Sequence, residues 1–505
     1  MKRLSLFGLI VLAFTLAMAI TAPTAQARKS SATPSPSPSP SALPTASPEP
    51  PSVAIPRLIA KLKANPTDQM AMAQLAAEYL QVNRPDITAQ YTQHLLQLGD
   101  KSAQVYYLDG LAEIQLGNGP GATYDLEQAS NLDPTNLQIL AGLADIYLRA
   151  GRATDAERVA KRAVTFNKND PGALMALGSV YASEQHYDDA RAQFEAALAL
   201  NPKDTTPLFQ IATTYAQQDN IPLALQTVGR ALAIDPRNVQ ALVFKADLYA
   251  RQHDDAHTSE AYDDAVVAAP TDDEKVGILI RKASYFLQEK KDTQGIAIFQ
   301  QITQQFPKVP TGFAAFGDYY ASVRQYPQAV AQWQAALAID PNTAQALLGM
   351  GEVSLLGGKI SDSIAYLRKY TQLSPDAQGF ALLGQAYSRV HDYSGARDAC
   401  GKSFEIQRSP STLGCVAGAD YELKNYKEAA QIFDAMDKAS KNYLDSDPQM
   451  LFMAAKSYAA ANQCSKATAA YKRLLALPGL KKDAKAYAQV HQAASDPCKP
   501  AKHSG

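Results

Sequence analysis

Two histidines in the middle of the chain have the spacing of metal ligands. His253 and His257 stand four residues apart with Asp254 and Asp255 between them, and this spacing can place two ligands on one face of a helix. However, the pair falls where the sequence predicts a turn between two helices, and a turn does not keep two side chains on one face. Since no third ligand is evident nearby, a solvated loop explains these residues better, and we predict no metal site.

Catalytic and phosphate-binding motifs are absent from the sequence. It contains no HExxH, no Gly-x-x-x-x-Gly-Lys and no Gly-x-Ser-x-Gly pattern, which are motifs of zinc peptidases, phosphate-binding loops and serine hydrolases. A repeated helical pattern also occupies nearly the whole chain after residue 68, so no stretch remains for a separate catalytic domain. We therefore predict a protein that is not an enzyme and that binds no cofactor.

The cysteines are the remaining reactive side chains, and all of them lie in the last quarter of the chain. In an exported protein they can form disulfides, and four cysteines allow three pairings. Alternatively, Cys400 and Cys415 are small apolar residues buried in a core. The four candidates are Cys400, Cys415, Cys464 and Cys498.

The N-terminal residues 1–27 are typical of an export signal. Two basic residues at positions 2 and 3 precede a mainly apolar run over 4–20, and Ala-Gln-Ala at 25–27 has the form of a cleavage site. We predict cleavage after residue 27, with an uncleaved membrane anchor as the alternative. Loss of the two basic residues takes the formal net charge from -1 to -3, which argues against a nucleic-acid partner.

The residues that follow, 28–52, are almost entirely Ser, Pro, Ala and Thr. Such a composition cannot bury a core. Frequent proline favours the polyproline II form at about 3.1 Å per residue, so this linker could extend on the order of 80 Å. It is either a spacer that holds the folded part away from a membrane or wall, or a passive disordered tail.

The remaining chain is built on a unit of 34 residues, seen most plainly over 171–204. Apolar and small residues three or four apart predict two amphipathic helices in this unit, with a short polar turn at 185–189 between them and a proline that closes the second helix. The positions that recur from unit to unit are Leu174, Leu177, Gly178, Tyr181, Ala190, Phe194, Ala197 and Pro202.

These residues resemble the tetratricopeptide repeat in type and offset, with Leu174 in place of the usual first tryptophan. The unit that is most similar to the repeat contains Phe313, Phe316, Gly317, Tyr320, Ala329, Trp333, Ala336 and Pro341. The resemblance implies an all-α, right-handed superhelical solenoid of about twelve helix-turn-helix repeats. It also implies that partner proteins or peptides bind in a concave groove lined by the first helices.

The repeats give a plan for the folded region. We predict an N-terminal capping helix within 53–68, an N-terminal half of the array over 69–309, a C-terminal half over 310–480, and a polar C-terminal helix and tail over 481–505. The repeat near 273–309 has a weaker pattern, and we predict a hinge there.

The resemblance also bears on the cysteines. Cys400 belongs to the second helix of one repeat and Cys415 to the first helix of the next, and these elements pack together in this architecture. It therefore implies a disulfide between Cys400 and Cys415, which leaves Cys464 to pair with Cys498.

Candidate binding residues occupy the positions between the packing residues of the first helices. Four of them are acidic, which suggests a groove for a partner with lysine, arginine or a free amine. It disfavours the type of repeat protein that grips a terminal carboxylate with lysine and asparagine. The alternative is a solvated face with no specific partner. The candidates are Tyr107, Asp145, Met175, Ser179, Phe209, Thr213, Asp247, Asp318 and Glu352.

From these features we expect an exported, non-enzymatic scaffold, periplasmic or secreted, that binds protein or peptide partners. We expect no nucleic-acid partner, and contact with a membrane only through an uncleaved N-terminal segment. The alternative is an accessory protein of polysaccharide or protein export or assembly machinery in the cell envelope. Repeated exposed aromatic residues along the groove would favour a glycan ligand, and the sequence offers only Tyr107 and Phe209 there.

Overall fold

The computed structural model describes residues 49–439, 443–477, 479–480 and 483–498. Within these ranges all regular elements are helices, and they comprise 26 α-helices and one short 3-10 helix. The all-α repeat fold predicted from the sequence is therefore confirmed. The predicted signal at 1–27 and nearly all of the predicted linker lie outside the described residues.

The chain divides into two compact units, and the boundary between them lies between residues 269 and 270. The first unit begins with a single helix, and six helix pairs follow it. Its helices are α1 (Pro51–Ala64), α2 (Gln69–Gln81), α3 (Pro85–Gln97), α4 (Ala103–Leu116), α5 (Gly119–Leu132), α6 (Leu137–Arg149), α7 (Ala153–Phe166), α8 (Pro171–Ser183), α9 (Tyr187–Leu200), α10 (Thr206–Gln217), α11 (Ile221–Ile234), α12 (Val239–Arg251) and α13 (Asp255–Ala268).

The second unit also contains six helix pairs, and a single helix ends it. A 3-10 helix, Tyr443–Ser446, precedes the last pair. Its α-helices are α14 (Asp272–Gln288), α15 (Asp292–Gln305), α16 (Pro310–Ser322), α17 (Tyr326–Ile339), α18 (Ala344–Leu356), α19 (Ile360–Leu373), α20 (Ala377–Arg389), α21 (Tyr393–Ile406), α22 (Pro410–Glu422), α23 (Tyr426–Ala439), α24 (Pro448–Ala460), α25 (Cys464–Ala476) and α26 (Ala484–Ser495).

The helices extend slightly differently from the predicted ones at two places. Helix α1 begins at Pro51, two residues inside the segment predicted as linker, because proline is well suited to the first turn of a helix. Helix α14 has 17 residues, whereas α12 has 13, so the extra residues of this repeat lengthen its first helix. The predicted hinge near 273–309 stays a prediction.

Local sequence explains where each helix begins and ends, as the pair α8–α9 shows. The Asp170 carboxylate accepts a hydrogen bond from the Ala173 amide at 2.7 Å and thereby caps α8, and Pro171 occupies the first turn. Leu174 and Leu177 are buried on α8, and Phe194 on α9 is fully buried between the two helices. The pattern that predicted two helices therefore also supplies their shared core.

The turn inside each of the twelve pairs contains one residue in the left-handed backbone region. Its φ angle lies between 56° and 80°, and only three of these residues are glycine. The left-handed conformation lets the chain reverse within a few residues, although it is unfavourable for a residue with a Cβ atom. These residues are Asn83, Gly117, Gly151, Gln185, Asp219, His253, Lys290, Arg324, Gly358, His391, Lys424 and Asn462.

The cysteines form two disulfides within the second unit. Cys400 on α21 is joined to Cys415 on α22, with 6.0 Å between their Cα atoms. Cys464 at the start of α25 is joined to Cys498 after α26, with a Cα separation of 5.7 Å. The first disulfide links two consecutive repeats, and the second ties the last helix to the preceding pair.

Helices long and apolar enough to cross a lipid bilayer are not found within the described ranges.

Candidate functional site

A pocket of about 370 Å³ opens in the second unit between the first helices of three consecutive pairs. Two of the predicted binding residues, Asp318 on α16 and Glu352 on α18, belong to its wall. We call this the acidic pocket. Its lining residues are Asp318, Ala321, Ser322, Tyr326, Trp333, Gln345, Leu348, Gly349, Glu352, Val353, Leu356 and Gln378.

The Asp318 carboxylate is held by two hydrogen bonds. The indole Nε1–H of Trp333 donates to Oδ1 at 2.9 Å, and the side-chain amide of Gln345 donates to Oδ2. Burial raises the pKa of Asp318 to about 6, although both hydrogen bonds lower it, and the nearby Glu352 raises it further. This carboxylate is therefore fixed in place and changes its charge within one pH unit or so of neutrality.

The Trp333 indole owes its position to two glycines. It lies between Gly317 on α16 and Gly349 on α18, and a Cβ atom at either position would approach the ring more closely than nonbonded carbon atoms do. Only 2% of the Trp333 surface is exposed. The two glycines therefore let α16 and α18 close around the ring whose N–H orients Asp318.

Glu352 lies one repeat further along the same face as Asp318. Burial raises the pKa of Glu352 as well. Among the residues that the structure describes, no lysine, arginine or histidine forms an ion pair with either carboxylate. The acidic pocket thus has a negative charge that its own unit does not neutralise.

Apolar side chains complete the acidic pocket. Leu348, Val353 and Leu356 on α18 and Ala321 on α16 line it beside the carboxylates. Its volume is in the range of pockets that take small ligands. Carboxylates beside an apolar wall fit an ammonium or guanidinium group on an aliphatic stem, which is the chemistry of a lysine or arginine side chain.

The other two predicted carboxylates lie in the first unit, and both already have partners there. Asp145 is exposed and forms an ion pair with Arg149 one turn later at 2.8 Å. Asp247 accepts a hydrogen bond from the hydroxyl of Tyr262 at 2.6 Å. The ion pair reduces the value of Asp145 as a binding group for a cation, whereas the hydrogen bond from Tyr262 to Asp247 matches the one that Trp333 donates to Asp318. Asp318 and Glu352 differ from both in that they line one pocket together.

The remaining candidates in the first unit are buried or half-buried. Met175 packs beside Phe194, and Phe209 stacks on Phe244 with 6.2 Å between ring centroids. The hydroxyl of Thr213 donates to the carbonyl of Phe209 at 2.8 Å. Tyr107 packs against the core of its neighbouring helices, and this burial raises its pKa. Ser179 lies on α8 and is half-buried.

Sequence reasoning missed three important residues of the acidic pocket. Trp333 was expected only as a packing residue, because it occupies a recurring apolar position. Gln345 and Gln378 each follow the first residue of a first helix, at Ala344 and Ala377. A glutamine at the same position of successive repeats was a signal that could have identified them.

The two histidines considered for metal binding do not share a helix. His253 is the left-handed residue of the turn between α12 and α13, and the His257 Nδ1 atom lies 2.7 Å from the Asp254 carboxylate. No group of three or more metal-binding side chains is found in the part of the chain that the structure describes.

Family models described as tetratricopeptide repeat match three stretches of the chain. Residues 113–179 and 181–248 match one model, and residues 315–378 match a second. The third stretch includes both carboxylates of the acidic pocket.

Parts of the chain are similar to solved structures. A thermophilic tetratricopeptide-repeat protein from Thermus thermophilus is 22% identical over 33% of this chain and 91% of that protein, with a TM-score of 0.31. YrrB, a tetratricopeptide-repeat protein described as having an unusual peptide-binding site, is 24% identical over 37% of this chain and 95% of YrrB, with a TM-score of 0.28. A tetratricopeptide-repeat protein from Parabacteroides merdae ATCC 43184 is 16% identical over 48% of this chain and 95% of that protein, with a TM-score of 0.33. No curated protein sequence matches the chain.

Proposed function

The chain is a tetratricopeptide-repeat protein, and from this premise we propose that it is an exported, non-enzymatic scaffold that binds partner proteins or peptides along its first helices. In such a scaffold each repeat contributes a small surface. Affinity comes from many weak contacts on a rigid, preorganised array.

The acidic pocket is the observation that supports a particular kind of partner. Asp318 is oriented by Trp333 and Gln345, and it faces a cavity large enough for one long side chain. Orienting a charged group before binding lowers the cost of ordering it in the complex. We therefore assign the partner a basic residue, lysine or arginine, that enters this pocket.

Neutralising the acidic pocket is expected to weaken binding about 10- to 100-fold, since a hydrogen bond between charged groups contributes about 1.5–3 kcal/mol. Dodecapeptides selected from a random display library on the purified full chain should be rich in lysine or arginine. The D318N/E352Q variant should then bind them more weakly. Trp333 is the only tryptophan of the chain, so its fluorescence reports occupation of the pocket directly.

The same binding titration, repeated at several pH values, provides a second test. Because Asp318 must lose its proton to attract a cation, affinity should rise as the pH increases through about 6. Burial also raises the pKa of Glu352, so D318N should reduce this dependence and D318N/E352Q should lack it. D362N, which removes an exposed carboxylate from α19 of the same unit, is the matched charge control. Selected peptides without basic residues, or unchanged affinity in D318N/E352Q, would refute the assignment.

Export is the second part of the proposal, and it rests on residues 1–27. We expect the mature chain to begin at Arg28, because a signal peptidase cleaves after the small residue of an A-x-A sequence. N-terminal sequencing of protein recovered from the cell envelope and from the medium measures this. An intact Met1 in the membrane fraction would support the anchored alternative, and an intact Met1 in the cytoplasm would contradict export.

A role beside polysaccharide or protein export machinery is compatible with this proposal, because such machinery also needs scaffolds. A direct glycan site has less support. Sugars bind on exposed aromatic faces, whereas Phe209 is stacked on Phe244 and Tyr107 is half-buried.

A further inference from the structure

Two carboxylates are buried together near the start of the first unit. Asp109 on α4 is 5% exposed, and Asp125 on α5 is 8% exposed. We call them the carboxylate pair. Carboxylates are almost never so deeply buried unless a cation or several hydrogen bonds compensate for the lost hydration.

The same positions of the next repeat are apolar. Leu143 occupies the place of Asp109 one repeat later, and Val159 occupies that of Asp125, and both are buried. An ordinary core residue would therefore fit at either position. The carboxylate pair is a departure from the repeat pattern that the fold does not require.

The surroundings of the carboxylate pair supply no positive charge. Asp109 accepts a hydrogen bond from the Thr92 hydroxyl on α3 at 2.5 Å, and no donor contacts Asp125 in the part of the chain that is described. The titratable groups that act on the pair are Glu113 and Tyr106 on α4.

The other neighbouring helices also lack a compensating cation among the described residues. Tyr124 on α5 lies beside Tyr106, and α2, which packs against α4, carries the buried carboxylate of Glu78. The buried face of α6 is apolar apart from Tyr147, whose hydroxyl donates to Glu127. The charged side chain that acts on the pair is Glu113, which is also acidic, and one bound proton is the simplest group that reduces the repulsion between the two carboxylates.

Thr92 is placed to serve either protonation state. Its hydroxyl lies 3.1 Å from the carbonyl oxygens of Thr88 and Ala89. When Asp109 is ionised, Thr92 donates to it. When Asp109 carries the proton, it can donate to the Thr92 oxygen while the threonine hydroxyl donates to one of these carbonyls.

We propose that the carboxylate pair makes the contact among α3, α4 and α5 an acid-strengthened joint, which is closed when the pair holds a proton and loosened when both groups ionise. The repulsion between two buried negative charges drives the loosening. Tyr107, a candidate binding residue two positions before Asp109, lies on the same helix, so the joint also controls order at this part of the first-helix face.

The direction of the pH effect follows from the shifts. Burial raises the pKa of Asp109, and burial with the charges of Asp109 and Glu113 raises the pKa of Asp125 to about 7. The folded joint therefore binds more protons than the unfolded chain between about pH 4 and 7. Its stability is greatest at acidic pH and is lost as the pH rises through this range.

Hydrogen exchange of the full chain, followed by mass spectrometry, tests this joint. After correction for intrinsic exchange rates, the opening constant of peptides covering α3–α5 should rise by up to about tenfold per pH unit between pH 5 and 7, as expected for one linked proton. Peptides covering α8–α11 of the same unit should show no such rise.

Two variants separate the carboxylate pair from general effects of pH. D109N/D125N keeps the shape of the two side chains without their charge, and D109L/D125V introduces the residues that the next repeat has at these positions. Either variant should remove most of the pH dependence of the opening constant. D264N, at an exposed position of α13, should behave as the wild type. An opening constant of wild-type α3–α5 that does not change with pH, or a full pH slope in D109N/D125N or D109L/D125V, would overturn the proposal.

Discussion

Replacing Trp333 with alanine is expected to lower the free energy of unfolding of the α16–α18 region by about 3–5 kcal/mol, the usual cost of truncating a buried aromatic residue. The indole fills the space between Gly317 and Gly349, and neither glycine has a side chain that could move into the cavity. Urea unfolding followed by circular dichroism, with hydrogen exchange to locate the change, measures the loss.

W333F separates packing from hydrogen bonding in this prediction. Phenylalanine keeps most of the ring but cannot donate to Asp318, so its loss of stability should be smaller than that of alanine. G349A provides a second comparison, because its added methyl group presses on the ring and overpacking also destabilises. If W333A unfolded at the same urea concentration as the wild type, the ring would not stabilise this region.

Removing the disulfide between Cys400 and Cys415 is expected to cost about 3 kcal/mol, since it closes a loop of about 15 residues in the unfolded chain. The bond joins consecutive repeats, and Cys400 is 1% exposed. The C400A/C415A variant should therefore unfold at lower urea concentration under oxidising conditions. The measurement is the same denaturation curve with and without a reductant.

A second double variant controls for the loss of any disulfide. The C464A/C498A variant removes only the disulfide that ties α26 to the pair α24–α25. Its effect on hydrogen exchange should therefore be confined to α25 and α26. A C400A/C415A protein as stable as the oxidised wild type would contradict the expected contribution.

Much of the fold followed from local patterns in the sequence. Residues such as Leu174, Phe194 and Pro202 recur because every pair must pack on the next one, so spacing alone predicted the helices. The start of the first helix was less certain, because its first two residues, Pro51 and Ser52, have the composition of the segment before them.

The acidic pocket was only half predictable. Asp318 and Glu352 could be chosen because they occupy the same position in successive repeats. Their difference from Asp145 depends on a local partner, Arg149, which no repeat pattern encodes. Asp247 has an aromatic donor at the same offset as Asp318, and what sets Asp318 and Glu352 apart is the pocket that they line together. The role of Trp333 was hidden because its ring packs as a core residue while its N–H contacts Asp318.

The carboxylate pair was missed for a related reason. The repeat pattern directs attention to residues that agree with it, whereas Asp109 and Asp125 are informative because they depart from it. Comparing each repeat with its neighbours, position by position, would have identified them as charges at apolar positions.

The left-handed residue in each turn has a consequence for how such a chain can change its length in evolution. Between Gly117 and Gly151, for example, lie one second helix and one first helix. A gene duplication or deletion that runs from one such residue to the next inserts or removes a whole unit without altering the backbone conformation at the junction. Because nine of the twelve are not glycine, the conformation is tolerated with many side chains, so almost any pair of turns can serve as the points of exchange.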